Sequence, residues 1–228
     1  MPQVDPRIAA GTATLLDRRG DELGAGATHL GWKAGFGAPA ALEKLGTDRP
    51  LVGYLTHERL LADRAEVSLT GWTNPVLEAE VAVHLARPLG AGATREEAIA
   101  AIGGLAAAIE LADLDPPPSE VERILGGNIF HRHVLLAETV DYRDTSALHA
   151  TVSRDGGAVA STSTPHALTG ELGAVLASMA DTLAAAGGAM AAGDVVITGS
   201  VVPPVPLGPG EWSVAIAGLG ELALTVTR

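Results

Sequence analysis

Glu78 and Glu80 stand two residues apart in the segment Pro75-Val76-Leu77-Glu78-Ala79-Glu80-Val81-Ala82-Val83, which is otherwise apolar and rich in β-prone residues. Side chains along a strand alternate with a period of two, so both carboxylates project from one face. Like charges this close repel each other unless something positive lies between them. A divalent cation meets that need, and an all-oxygen ligand set suits a hard ion such as Mg²⁺. On spacing alone, a solvated strand face with Ala79 and Val81 packed inward explains the pair as well, so the decision falls to the rest of the chain.

Glu110 supplies a third acid, set inside the apolar run Ala106–Leu114. An ionised carboxylate buried alone costs several kcal/mol unless it is paired or ligates a metal, and few cations lie near it in sequence. Three acids isolated in greasy strands argue for a metal better than two. Asp113, three residues further on, falls on the opposite strand face unless a bulge turns it. Lys33 lies in His29-Leu30-Gly31-Trp32-Lys33-Ala34-Gly35-Phe36-Gly37, where glycines let backbone approach a ligand closely. A lysine there can pair a substrate carboxylate or move a proton; snorkelling at the surface is the commoner fate of a lone lysine.

The elements that must position these groups are mostly short strands. The pattern predicts a helix over 5–20, strands at 28–36, 51–55, 65–69, 76–85, 106–114 and 133–137, and a hairpin of 149–153 with 158–161 around Asp155-Gly156-Gly157. Strands at 195–198, 211–217 and 221–227 follow. Thr94 with Glu97 reads as a capping box opening a short helix that Gly103-Gly104 ends, and Ser119 with Glu122 as another. Ala38–Leu45 reads as a short helix. Residues 165–186 read as one long helix, with Leu172, Val175, Leu176, Met179 and Leu183 on one face. This mix argues for an α+β fold built on mixed or antiparallel sheets.

A chain of 228 residues that is 47% hydrophobic can bury a sizeable core, and with only 3% aromatics its core is filled by Leu, Val, Ile and Ala. The net charge of −12 argues against nucleic acid and against anionic membrane surfaces. With no cysteine there is no thiolate chemistry. No signal peptide and no membrane-length apolar run is recognisable, so a cytoplasmic protein is expected. Nucleotide-binding glycine motifs, HExxH and GxSxG are absent.

The C-terminal third adds Gly193-Asp194-Val195-Val196-Ile197-Thr198-Gly199-Ser200, then Gly218-Leu219-Gly220-Glu221-Leu222-Ala223-Leu224. Together with GWKAGFG, PVLEAEVAV and AIELADL, in that order, these segments resemble the fumarylacetoacetate hydrolase superfamily. The resemblance is to its 2-keto-4-pentenoate hydratase and 4-oxalocrotonate decarboxylase branch. It implies a mostly β fold of rolled mixed sheets with a few peripheral helices, in which residues 1–30 form a short helical segment and residues 31–228 the catalytic domain. It implies Glu78, Glu80 and Glu110 as ligands of a divalent cation, Mg²⁺ or else Mn²⁺. It implies catalytic roles for Lys33, Glu78 and Asn128 and substrate contacts from Lys33, Thr198 and Gly199. The expected activity is hydration of 2-hydroxydienoic or 2-oxo acids through an enolate. Decarboxylation, carbon–carbon hydrolysis or a non-catalytic role on the same fold are the alternatives.

The branch carries an Asp-Asn-Ala-Ser-like segment where this chain reads Gly126-Gly127-Asn128-Ile129-Phe130-His131-Arg132, and only Asn128 matches. His131 and Arg132 are therefore expected at the substrate, His131 moving protons and Arg132 clamping a second carboxylate bidentately; the alternative is that Phe130 packs inward and both residues point to solvent. That makes dicarboxylic oxo acids the expected substrates. Short edge strands, together with the resemblance, imply a homo-oligomer. The remaining histidines read as surface, capping or packing residues.

Overall fold

The computed structural model describes residues 4–115, 120–141 and 148–228. In chain order its elements are α1 (Pro6–Gly24), β1 (His29–Gly35), α2 (Pro39–Leu45), β2 (Leu51–Thr56), β3 (Leu60–Leu61), β4 (Ala65–Ser68), β5 (Pro75–Leu85) and α3 (Arg95–Ala101). There follow β6 (Ile102–Asp113), α4 (Val121–Gly126), β7 (His131–Leu136), β8 (Ala150–Arg154), β9 (Gly157–Thr162), α5 (His166–Thr169) and α6 (Leu172–Ala185). The chain closes with β10 (Val195–Ser200), β11 (Val205–Pro206), β12 (Gly210–Ile216) and β13 (Gly220–Thr227).

The strands form two sheets. The larger runs β2-β1-β10-β5-β6-β7-β3, with β11 beside β5, and the smaller runs β4-β13-β12-β8-β9. Both mix parallel and antiparallel pairs: β1 lies parallel to β10, whereas β5 and β6 are antiparallel over their whole length. The α+β expectation, mostly β with peripheral helices, holds. The main core lies along the odd-numbered face of β5, where Leu77, Ala79, Val81 and Val83 pack with Ile109, Leu111, Trp212, Val214 and Leu224. Helix α6 covers this core with Leu172, Val175, Leu176, Met179 and Leu183, the face read from the sequence. The even-numbered face of the larger sheet carries a smaller apolar cluster of Ala82, Ala106, Ala108, Val134 and Ile197. The chemistry-bearing side chains stand on that second face.

Three expectations change. Helix α1 continues past Gly20 to Gly24, because a glycine inside a helix only weakens it; the reversal comes at Gly26, with φ +107°. The long helix over 165–186 is two helices, interrupted at Gly170, whose φ of +78° is outside the helical region. Helix α3 stops at Ala101, just before Gly103-Gly104 as read, but β6 begins at Ile102 rather than at Ala106 and takes in both glycines, a Cβ on Gly104 coming within 2.7 Å of the Val140 carbonyl oxygen. The capping box of Thr94 and Glu97 forms as read, with Glu97 N–H on Thr94 Oγ1 and Thr94 N–H on Glu97 Oε2. Ser119, which would begin the other, lies outside the described residues.

Candidate active site

Register builds the site. Glu78 on β5 stands directly opposite Glu110 on β6, and Glu80, one strand period along, stands opposite Ala108. All three carboxylates therefore share one face, and a ligand oxygen from each lies within 4.8 Å of the others. Glu80 and Glu110 are buried, at 0% and 1% exposure, while Glu78 opens onto a cavity of about 270 Å³. Lys33, opposite Gly53 across the β1–β2 pair, reaches the same place. Its Nζ donates to Glu110 Oε1 and, at 3.2 Å, to the carbonyl oxygen of Ile129.

The electrostatics divide the three acids. Burial and the neighbouring Glu110 carboxylate push Glu78 up to about 7. Burial, with Glu110 and Glu78 beside it, pushes Glu80 well above the usual carboxylate range, although the Gly199 N–H donates to its Oε2 at 2.7 Å. Burial alone would raise Glu110 too, but the Lys33 ammonium and the His131 hydrogen bond hold it below its ordinary value. Glu80 Oε1 is buried with no hydrogen-bond partner. An orphaned carboxylate oxygen beside two more carboxylates is an unfavourable arrangement in itself, and it fits a hard divalent cation, which these oxygens could hold.

Asn128, Ile129 and Phe130 form a left-handed turn with φ of +53°, +50° and +61°. Three consecutive non-glycine residues there store strain. Asn128 holds the turn: its Oδ1 accepts from Tyr54 N–H at 2.9 Å and its Nδ2 donates to the Tyr54 carbonyl at 3.0 Å. The turn aims the Ile129 carbonyl at Lys33. Asn128 thus acts on β2 and, through the turn, on Lys33; it does not line the cavity. Thr198 and Gly199 do line it, with Ser200. Thr198 Oγ1 donates to the Val81 carbonyl at 3.0 Å.

His131 and Arg132 part company. Their strand alternates, and the β6–β7 register shifts between Leu111 and Ala112, which adds one residue on β7 at Arg132. His131 faces the acids, buried, with Nδ1 at 2.8 Å from Glu110 Oε1. It stands behind Glu110 rather than on the cavity wall, and burial holds the imidazole below its usual value against the pull of Glu110. Arg132 points the other way, its side chain 48% exposed, donating to Asp113 at 2.9 Å and lying over Trp72. The expectation that Arg132 clamps a substrate carboxylate is corrected by that turn of the strand. Asp113 also accepts from the N–H groups of Thr73 and Asn74. Asp194 is structural as well, accepting from Trp32 Nε1 at 2.8 Å.

Sequence reasoning missed Gly53. A Cβ there would lie 2.8 Å from both Asn128 Oδ1 and Lys33 Cγ, so only glycine leaves room for the two side chains. An isolated glycine in the strand Leu51-Val52-Gly53-Tyr54-Leu55 was the available signal. It also missed Phe36, Leu168 and Thr169, which line the cavity from a turn and from α5.

The chain matches the fumarylacetoacetate (FAA) hydrolase C-terminal family over residues 32–227. It belongs to that family. Among relatives in the FAA hydrolase family, it is 30% identical over 214 residues to a 2-keto-4-pentenoate hydratase from Burkholderia vietnamiensis, across 87% of this chain and 78% of that one. It is 29% identical over 206 residues to a 4-oxalocrotonate decarboxylase from a Pseudomonas species, across 89% of this chain and 80% of that one. The solved 4-oxalocrotonate decarboxylase from Pseudomonas putida G7, complexed with magnesium and adipate, superposes with a TM-score of 0.88 over 94% of this chain and 84% of that one. At 22% identity that likeness is one of fold. The resemblance read from the motifs is borne out, and the relatives at about 30% identity are enzymes. Among the described residues no helix is long and apolar enough to cross a membrane.

Proposed function

We propose that this protein is a metal-dependent lyase that hydrates 2-hydroxydienoic or 2-oxo acids, with Glu78, Glu80 and Glu110 holding one divalent cation. The observation that supports this most is the convergence of three carboxylates, one oxygen of them buried and unpartnered, at the polar end of an otherwise apolar cavity. When bound, the cation supplies Lewis acidity toward the 2-oxo acid, Mg²⁺ being the natural choice for this donor set and Mn²⁺ the next.

The chain's own groups do the rest. Lys33 Nζ, held by Glu110 and the Ile129 carbonyl, binds the substrate carboxylate and can move a proton there. Glu78 faces the cavity and orients the acid head. His131 Nδ1 fixes the Glu110 carboxylate. Thr198 and Gly199 border the substrate, with the Gly199 N–H spent on Glu80. The apolar wall receives the hydrocarbon part of the substrate and leaves room for the water that adds to it. Decarboxylation of a related oxo acid is the second reading, favoured by the likeness to the 4-oxalocrotonate decarboxylase from a Pseudomonas species. The protein works as a soluble homo-oligomer in the cytoplasm.

The test is Mg²⁺-dependent deuterium exchange at C3 of a simple 2-oxo acid, followed by hydration of 2-hydroxypenta-2,4-dienoate in the ultraviolet. Lys33→Met is expected to lower turnover at least about 100-fold with the fold intact by circular dichroism. Full exchange in that variant, or none in the wild type, refutes the reading.

A further inference from the structure

We infer that the site accepts a substrate with one carboxylate and an uncharged, apolar tail, and rejects oxo acids that carry a second carboxylate at the far end. This rests on the reading above, in which the acid cluster and Lys33 hold the 2-oxo acid head.

The charge on the described cavity wall is gathered in one place. The charged lining groups, Lys33 and Glu78, sit together at the acid cluster. Away from them the wall is built by Phe36, Ala41, Pro50, Leu168, Val175 and Pro203. The hydroxyls on the wall are spent on backbone. Thr198 donates to Val81 O at 3.0 Å, Thr169 to Gly170 O at 3.0 Å and Ser200 to Val202 O at 2.6 Å. Lys33 is the one cation among the described lining residues, and it is engaged at the head end. The arginine that could have read a tail carboxylate, Arg132, lies on the opposite face of its strand, against Asp113 and Trp72. Among the described lining residues a tail carboxylate would lose its water against hydrocarbon and meet no counter-charge, which is strongly unfavourable. An apolar tail would instead bury its surface against matching surface.

The experiment uses the Mg²⁺-loaded protein and two stable probes of the same six-carbon length, 2-oxohexanoate and 2-oxoadipate, which differ by a terminal carboxylate. Binding is read by calorimetry and turnover by deuterium exchange at C3. The expected result is 2-oxohexanoate binding tighter by about tenfold or more, with its exchange faster in proportion. Arg132→Ala is expected to leave the ratio unchanged, and Leu168→Lys, which places an ammonium in the wall, to shift it toward 2-oxoadipate. Equal or tighter binding of 2-oxoadipate by the wild type, with exchange intact, overturns the inference and leaves the lyase reading standing. A selective loss of 2-oxoadipate in Arg132→Ala overturns it as well. Failure of both probes to bind or exchange removes the lyase reading and the inference together.

Discussion

Glu110 Oε1 is shared by two donors, Lys33 Nζ from β1 and His131 Nδ1 at 2.8 Å from β7, so a single carboxylate oxygen ties three strands of the larger sheet together. The two donors are also what keeps this one acid ionised while its neighbours are pushed toward the protonated form. Replacing His131 with Leu removes one of them at a site where the side chain is fully buried. The expected cost is about 2 kcal/mol of stability and a weaker Mg²⁺ affinity, read by urea denaturation and calorimetry. Unchanged affinity would show that His131 does nothing for Glu110.

Glu80 carries the unpartnered buried oxygen, so the metal-free protein bears its cost. Glu80→Gln is expected to leave metal-free stability unchanged or raise it by about 1 kcal/mol. It should also abolish the stabilisation expected of the wild type in Mg²⁺, about 2.7 kcal/mol at a hundredfold excess over Kd. Thermal scans with and without Mg²⁺ check both halves. A variant still stabilised by Mg²⁺ would remove Glu80 from the ligand set.

Glu78 is raised from 4.5 to about 7 and Glu80 rises too, so in this range the folded metal-free protein holds more protons than the unfolded chain. The contribution of Glu78 and Glu80 to metal-free stability should therefore fall as pH rises from 4.5 through about 7, while the His84, His131 and His133 imidazoles, held below 6.5 by burial, act the other way in the upper part of that window. Asp113 and Asp194 shift the other way, downward from 3.8, and their contribution is complete before this window begins. Mg²⁺ affinity should rise with pH over the same window, with proton release visible as a buffer-dependent binding enthalpy. A pH-independent Mg²⁺ affinity between pH 5 and pH 8 would contradict these shifts.

Asn128 spends its carboxamide on the backbone of Tyr54. Asn128→Ala should cost about 2–3 kcal/mol and loosen the turn that presents the Ile129 carbonyl to Lys33. Asn128→Gly relieves the positive φ yet loses the same two hydrogen bonds, so it should recover only part of that loss. Denaturation midpoints rank the three proteins, and a wild-type midpoint for Asn128→Ala would rule out the positioning role.

Gly53→Ala puts a methyl 2.8 Å from Lys33 Cγ. Lys33 must then move from Glu110, and turnover should fall by at least about tenfold while the secondary structure stays intact. Normal turnover would show that the β1–β2 pair can yield to the methyl.

The sequence by itself determined the parts whose signal is local. A strand's period of two puts Glu78 and Glu80 on one face whatever the sheet around them. The motif order fixed the family, and the capping box at Thr94 formed because its partners lie three residues apart. The sequence also set the scale of the problem, since an acid buried at Glu110 needed a partner from somewhere. Tertiary structure decided who that partner would be. Pairing Glu78 with Glu110 needs the β5–β6 register, and bringing Lys33 to them needs β10 between β1 and β5, across 77 residues of chain from Lys33 to Glu110. The one-residue shift in the β6–β7 ladder, invisible in any local pattern, turned His131 toward the acids and Arg132 away from them. Register is a property of two strands at once, and so which of His131 and Arg132 faces the acids was settled by how the chain pairs.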